Sequence, residues 1–206
     1  MLFYETIHAQ TLGLLKKLQS EDLFSNLRLV GGTSLALQIG HRISVDIDLF
    51  GDLKCDNITL NNTLKSLAQY RIIQQTENIH IYNIENIKVD VVNYPYPWLQ
   101  APVTKDGLTL AAIEDIAAMK LAAITGRGSK KDFIDLYFLL QRFSLKEMLN
   151  LYLKKYNEGS VFMVLRSLAY FDDAEEELMP KMLVEVTWNE IKATITDKLK
   201  TFQSAQ

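Results

Sequence analysis

The sequence predicts an α+β protein: a mixed-sheet core in the N-terminal half followed by a helical C-terminal half. Short alternating apolar runs, separated by glycine, asparagine and proline, crowd residues 27–93. After Pro102 the apolar spacing turns helical and stays so to the C-terminal end. Strands in one block and helices in another are the α+β arrangement, here divided as 1–103 and 104–206.

The elements follow in order. Apolar residues recur at helical spacing from Tyr4 to Gln19 (Ile7, Leu14, Leu15, Leu18). Leu27 to Val30 alternates like a short strand and runs into Gly31-Gly32, and Thr33 to Ile39 reads as a helix stopped by Gly40. Val45 to Phe50 is a second strand and Ile58 to Ala68 a second helix. Further strands are expected over Tyr70 to Gln74, His80 to Ile84 and Ile87 to Asn93, with a turn over Asn83 to Asn86. Pro95, Pro97 and Pro102 punctuate the chain. Helices are then expected over Ile113 to Ile124, Lys131 to Phe143, Leu145 to Tyr156, Val161 to Tyr170 and Trp188 to Phe202.

Composition narrows the function classes. With 206 residues, 48% hydrophobic and 23% charged, the chain can bury a sizeable core. Its net charge of −3 supplies no global basic field, so nucleic acid would have to be met by a local basic stripe. The single cysteine, Cys55, forms no internal disulfide and no zinc cluster. The N-terminus carries no basic segment followed by an apolar run, and no apolar stretch reaches membrane-spanning length, so a cytoplasmic protein without membrane partners is expected.

Two short segments carry the chemistry. Gly31-Gly32-Thr33 stands where a strand hands over to a helix; glycine allows close backbone approach, and a helix N-terminus suits phosphate. The plain alternative is a tight turn with Thr33 as N-cap. In Ser44-Val45-Asp46-Ile47-Asp48-Leu49, strand periodicity aims Asp46 and Asp48 to one face and Ile47 and Leu49 to the core. Paired carboxylates repel, and a hard cation with oxygen ligands resolves the conflict; a solvent-facing strand edge is the alternative. Asp90 shares a face with Lys88 and joins the carboxylates if its strand lies beside theirs.

The helical half offers a charge in an unusual place. Lys120 falls mid-way along the apolar stripe Ile113, Ile116, Lys120, Ile124, so it either snorkels to a surface or meets an anion in a cleft. Asp132 and Asp135 open the next helix, where Ser129-x-x-Asp132 has the form of a capping box. Arg127, Lys130 and Lys131 read as a solvated loop or a phosphate contact, and residues 172–177 as a solvated acidic turn.

In order, Gly-Gly-Thr at 31–33, Arg-x-Ser-x-Asp-x-Asp-Leu at 42–49, Lys120 and Lys-Asp-x-x-Asp-Leu at 131–136 resemble the AbiEii-type nucleotidyltransferase family. That family belongs to the polymerase-β-like superfamily, and many members are the toxin of an abortive-infection or toxin–antitoxin pair. The resemblance implies a nucleotidyltransferase-like N-terminal core and a helical half that completes the nucleotide cleft. It implies an enzyme that moves a nucleoside monophosphate from an NTP to an acceptor hydroxyl, RNA or tRNA first. A protein or small-molecule hydroxyl, or a non-catalytic nucleotide-binding module, are the alternatives.

Roles follow residue by residue. Gly31, Gly32 and Thr33 stand in the phosphate turn, with Arg42 and Ser44 in the segment before the carboxylates. Asp46, Asp48 and Asp90 would hold Mg2+ (or Mn2+), two ions about 3.5–4 Å apart. Lys120 would contact the triphosphate, and Asp132 and Asp135 complete the second block. Arg127, Lys130, Lys131, Lys154 and Lys155 form the basic surface expected to meet RNA. A cognate antitoxin is the further partner the resemblance suggests.

Overall fold

A computed structural model of the chain describes residues 1–204, which fall into two compact units. The first comprises Met1–Tyr96 and Ala101–Ala111, the second Pro97–Gln100 and the chain from Ala112 onward.

The first unit contains β1 (Leu27–Leu29), β2 (Ile47–Gly51), β3 (Tyr70–Gln75), β4 (Ile79–Ile84), β5 (Ile87–Asn93), β6 (Val103–Lys105) and β7 (Leu108–Leu110). It also holds α1 (Ala9–Ser20), α2 (Gly31–Ile39) and α3 (Asn57–Leu67). The strands form one mixed sheet in the order β3-β4-β5-β2-β1-β7-β6. The β2–β5 pair is parallel, which requires a long crossover; α3, β3 and β4 supply it. The helix expected from Tyr4 is interrupted: a 3-10 turn covers Tyr4–Thr6, Ile7 is extended and bridges Ser44, and α1 begins at Ala9. The second expected strand starts at Ile47, leaving Asp46 just ahead of it.

The β6–β7 hairpin was not expected. Its turn is Asp106-Gly107, both with positive φ, a pairing that favours two-residue hairpins. Strands of three residues are too short to show an alternation, and that dipeptide was the available signal.

Register separates the sheet's two faces. One carries Ile47 and Leu49 on β2, Val89 and Val91 on β5, and Tyr82 and Ile84 on β4, all buried with Leu14, Leu15 and Leu18 of α1 and Leu60 and Leu64 of α3. His80 belongs to this face; burial lowers its pKa and favours the neutral ring. The other face carries Asp48 beside Asp90 and Phe50 beside Val92, all partly exposed.

The second unit is helical: α4 (Ile113–Gly126), α5 (Lys130–Leu139), α6 (Leu145–Lys155), α7 (Val161–Leu168), α8 (Asp172–Glu175) and α9 (Trp188–Ser204). Helix α4 packs against α5, α6 and α7, and α5 against α9. Residues 172–177, expected to be a solvated turn, instead form a connector: Glu175 receives the Trp188 indole N–H and the Lys192 ammonium, and the Lys130 ammonium donates to the carbonyls of Glu175 and Glu177. None of the described helices is long and apolar enough to cross a membrane.

An ion pair with no exposed side-chain surface ties Pro97–Gln100 to this unit. Lys155 Nζ lies 2.7 Å from Asp115 Oδ1, donates to the Pro97 carbonyl at 2.8 Å and sits 4.5 Å from the Trp98 ring centroid. Asp115 also accepts the backbone N–H groups of Leu99 and Gln100. Removing one partner of such a pair strands a buried charge, so Asp115→Ala is expected to lower stability by about 3–5 kcal/mol. The double replacement Asp115→Leu/Lys155→Met is expected to lose less than half of that in urea unfolding.

Candidate active site

Gly31 is the first residue of α2 and has φ 68°, a left-handed conformation that costs an L side chain energy. A Cβ at this position would stand 2.3 Å from Asp48 Oδ2, so the Asp48 carboxylate occupies the space that glycine leaves. The Val30 N–H donates to the Asp48 carbonyl at 2.9 Å, closing strand against helix start. The first turn of α2, with its N–H groups and positive dipole end, therefore lies against a carboxylate.

Thr33 is not the N-cap; Val30 is. The buried Thr33 hydroxyl instead donates to the Asp46 carbonyl and lies 2.8 Å from the Ser44 hydroxyl. It fixes the segment that delivers Asp46. Arg42 and Ser44 are buried as well, and Arg42 Nη1 donates to the Ile43 carbonyl at 3.1 Å. These residues build the turn from behind, while Asp46, Asp48, Gly31 and Gly32 remain partly exposed.

Parallel pairing sets Asp90 directly beside Asp48. Lys88, two residues earlier on the same face, places Nζ 2.6 Å from Asp90 Oδ2. Asp90 Oδ1 is buried and has no hydrogen-bond partner. A buried carboxylate oxygen without a partner is costly, and a cation is what it lacks. The adjacent Asp48 and Asp90 offer hard oxygen donors of the kind a divalent cation takes, and Asp46 is not brought into a three-carboxylate set with them. Among the described residues no three acidic, histidine or cysteine side chains close on one point, so the remaining ligands would come from phosphate or water. Sequence reasoning placed Lys88 on the Asp90 face but missed that it binds Asp90; the i, i+2 spacing was the signal.

In the second unit, Lys120 meets anions of its own unit. Its Nζ lies 2.6 Å from Asp135 Oδ2 and 3.0 Å from Asp132 Oδ1, all three residues being buried. Asp132 is not a capping residue: Ser129 makes no side-chain cap bond to the helix and donates its hydroxyl to Asp132 at 2.8 Å. Arg127 Nε reaches the same carboxylate at 2.8 Å. Burial alone would push the Asp132 pKa up, but Lys120, Arg127 and Ser129 together outweigh it and hold the acid well below the carboxylate range.

Of the basic surface expected from Arg127, Lys130, Lys131, Lys154 and Lys155, two lysines are withdrawn. Lys155 and Lys130 are buried against Asp115 and the α8 carbonyls, and Arg127 serves Asp132. Lys131, Lys154 and Arg127, whose side chain is 69% exposed, remain at the surface. A cavity of about 430 Å³ elsewhere in this unit is lined by Thr125, Arg127, Arg166 and Tyr170, and none of the sheet carboxylates lines it.

A strand–glycine turn–helix followed by carboxylates on paired central strands defines a nucleotidyltransferase fold. The structure matches solved nucleotidyltransferases: MenT4, a nucleotidyltransferase toxin from Mycobacterium tuberculosis H37Rv, aligns with TM-score 0.60 and 16% identity over 92% of this chain and 80% of that one. JHP933 from Helicobacter pylori aligns with TM-score 0.55 and 19% identity over 97% of this chain and 96% of that one. In sequence, the uncharacterized protein aq_aa25 of Aquifex aeolicus (strain VF5) is 34% identical over 91% of this chain and 93% of its own. The family described as "Nucleotidyl transferase AbiEii toxin, Type IV TA system" matches residues 13–206, and the chain belongs to it.

The Gly31–Asp48 contact makes a sharp prediction. Gly31→Ala combines a left-handed φ with a 2.3 Å clash, so it is expected to cost at least about 1–2 kcal/mol. It should also displace Asp48 and abolish nucleotide transfer. Thermal melting and a transfer assay on the same preparation check both effects.

Proposed function

We propose that this protein is a metal-dependent nucleotidyltransferase that moves a nucleoside monophosphate from an NTP to a hydroxyl of RNA, tRNA included, as the toxin of a toxin–antitoxin pair. The observation that carries the reading is the Asp48–Asp90 juxtaposition beside the Gly31 turn, with a partnerless Asp90 oxygen. A toxin of this kind would have a cognate antitoxin, and would act in the cytoplasm, where NTPs and RNA are found.

The chain's own residues divide the work. The backbone N–H groups at the start of α2, from Gly31, Gly32 and Thr33, receive the phosphates. Arg42, Ser44 and Thr33 hold that turn and the Asp46 segment rigid. Asp48 and Asp90 would hold Mg2+ or Mn2+, which supplies positive charge for the phosphates and acidifies an acceptor hydroxyl when bound. Asp90 would act either as a ligand of that cation or, through Oδ1, as the base that takes the proton of the acceptor hydroxyl as that oxygen attacks the α-phosphorus. The bond to the β-phosphate breaks and pyrophosphate leaves. The buried Lys120, Asp132 and Asp135 group braces the helical unit. Catalysis of this kind is chiefly positioning and electrostatics.

Incubating the protein with each α-labelled NTP, Mg2+ and total cellular RNA tests the proposal against an Asp48→Asn control. Label in RNA with the wild type, reduced at least about a hundred-fold in the variant, is the expected outcome. Label that resists ribonuclease but yields to protease would replace RNA by a protein acceptor.

A further inference from the structure

Helix α7 sets Met163, Arg166 and Ser167 on one stripe at i, i+3 and i+4, and Tyr170 prolongs that stripe past the helix end. The Tyr170 N–H donates to the Ser167 carbonyl at 3.1 Å, which fastens it to the last turn. Val164 and Leu168, on another face of the helix, are buried in the unit. The first stripe instead lines the cavity of about 430 Å³, together with Thr125, Arg127 and Asp173. Arg166 and Tyr170 are exposed, and Arg127 stays at the surface although its Nε and Nη2 bond Asp132. Among the described residues neither the Arg166 guanidinium nor the Ser167 hydroxyl has a hydrogen-bond partner. Asp173 accepts the Tyr170 hydroxyl at 3.2 Å.

The geometry points to a nucleoside monophosphate site in this cavity, built by residues of the second unit alone. Two guanidiniums in one lining suit a phosphate, which takes the planar fork of arginine. A bare anion is a poor occupant, because the same lining holds the Asp173 carboxylate and the carbonyl ends of α4 and α7. Those acceptors need donors on the same ligand, and ribose hydroxyls or base amines supply them. The Tyr170 ring makes no ring contact among the described residues, and with Met163 it offers a base an apolar wall. The volume lies in the range of small-molecule pockets. Phosphate, donors and a flat ring on one small molecule describe a mononucleotide. Arg127 joins the site to the core of its unit, since the same guanidinium holds Asp132 beside Lys120.

The test titrates the full chain calorimetrically with AMP, CMP, GMP, UMP, adenosine and inorganic phosphate. EDTA is present, so that no divalent cation bridges a phosphate to the sheet carboxylates. Wild type is compared with Arg166→Gln, Tyr170→Leu, Lys154→Gln and Asp48→Asn, and thermal melting is measured on the same samples. The monophosphates are expected to bind within about ten-fold of one another, because stacking tolerates any base. Adenosine and inorganic phosphate are expected to bind at least about ten-fold more weakly than AMP. Arg166→Gln and Tyr170→Leu should each weaken AMP binding about ten-fold while melting like wild type. Lys154→Gln and Asp48→Asn should match wild type.

No monophosphate binding by folded wild type would overturn the site, and so would binding that Arg166→Gln and Tyr170→Leu leave unchanged. Binding lost in Asp48→Asn alone would place the mononucleotide at the sheet carboxylates and overturn the second-unit site. Inorganic phosphate that binds as tightly as AMP, with AMP binding untouched by Tyr170→Leu, would overturn the nucleoside and leave an anion site.

Discussion

Everything at the site depends on the parallel pairing of β2 with β5, which sets two carboxylates side by side. Like charges directly opposite on a sheet destabilise it, and aspartate is a poor strand former. The fold answers this conflict with groups on either side. The start of α2 lies against Asp48, which only a glycine at position 31 allows. Lys88 covers one oxygen of Asp90, and the other is left without a partner. A sheet built for stability alone would have ended there with an apolar pair such as the neighbouring Leu49 and Val91.

Much of this was legible in the sequence because it rests on local periodicity. Alternation aimed Ile47 and Leu49 inward and Asp48 outward, and β5 was bounded correctly at Ile87 and Asn93. The Gly-Gly turn announced itself between strand and helix. What periodicity cannot supply is which strands become neighbours, so the Asp48–Asp90 register had to come from the structure. The β6–β7 hairpin was missed for a related reason: its short strands are recruited to the sheet by pairing with β1, which no local pattern reports.

Charged residues were the harder part. A lysine or aspartate in sequence is exposed until shown otherwise, yet Lys155, Lys130, Asp115 and Asp132 are all buried. Their partners lie 40 to 47 residues away for Lys155–Asp115 and Lys130–Glu177, beyond any helical spacing rule. The Ser129–Asp132 spacing even imitated a cap, while the carboxylate was turned inward to Lys120 and Arg127. Lys120 was the exception, because its place on an apolar stripe betrayed the need for an anion.

The central claim is that Asp48 and Asp90 together make a cation site. It is tested most directly by titrating Mn2+ into the protein with a non-hydrolysable NTP analogue and reading bound metal by electron paramagnetic resonance. Wild type should bind Mn2+, and Asp48→Asn and Asp90→Asn should each lose at least about ten-fold in affinity while melting like wild type. Undiminished Mn2+ binding in both folded variants would contradict the account.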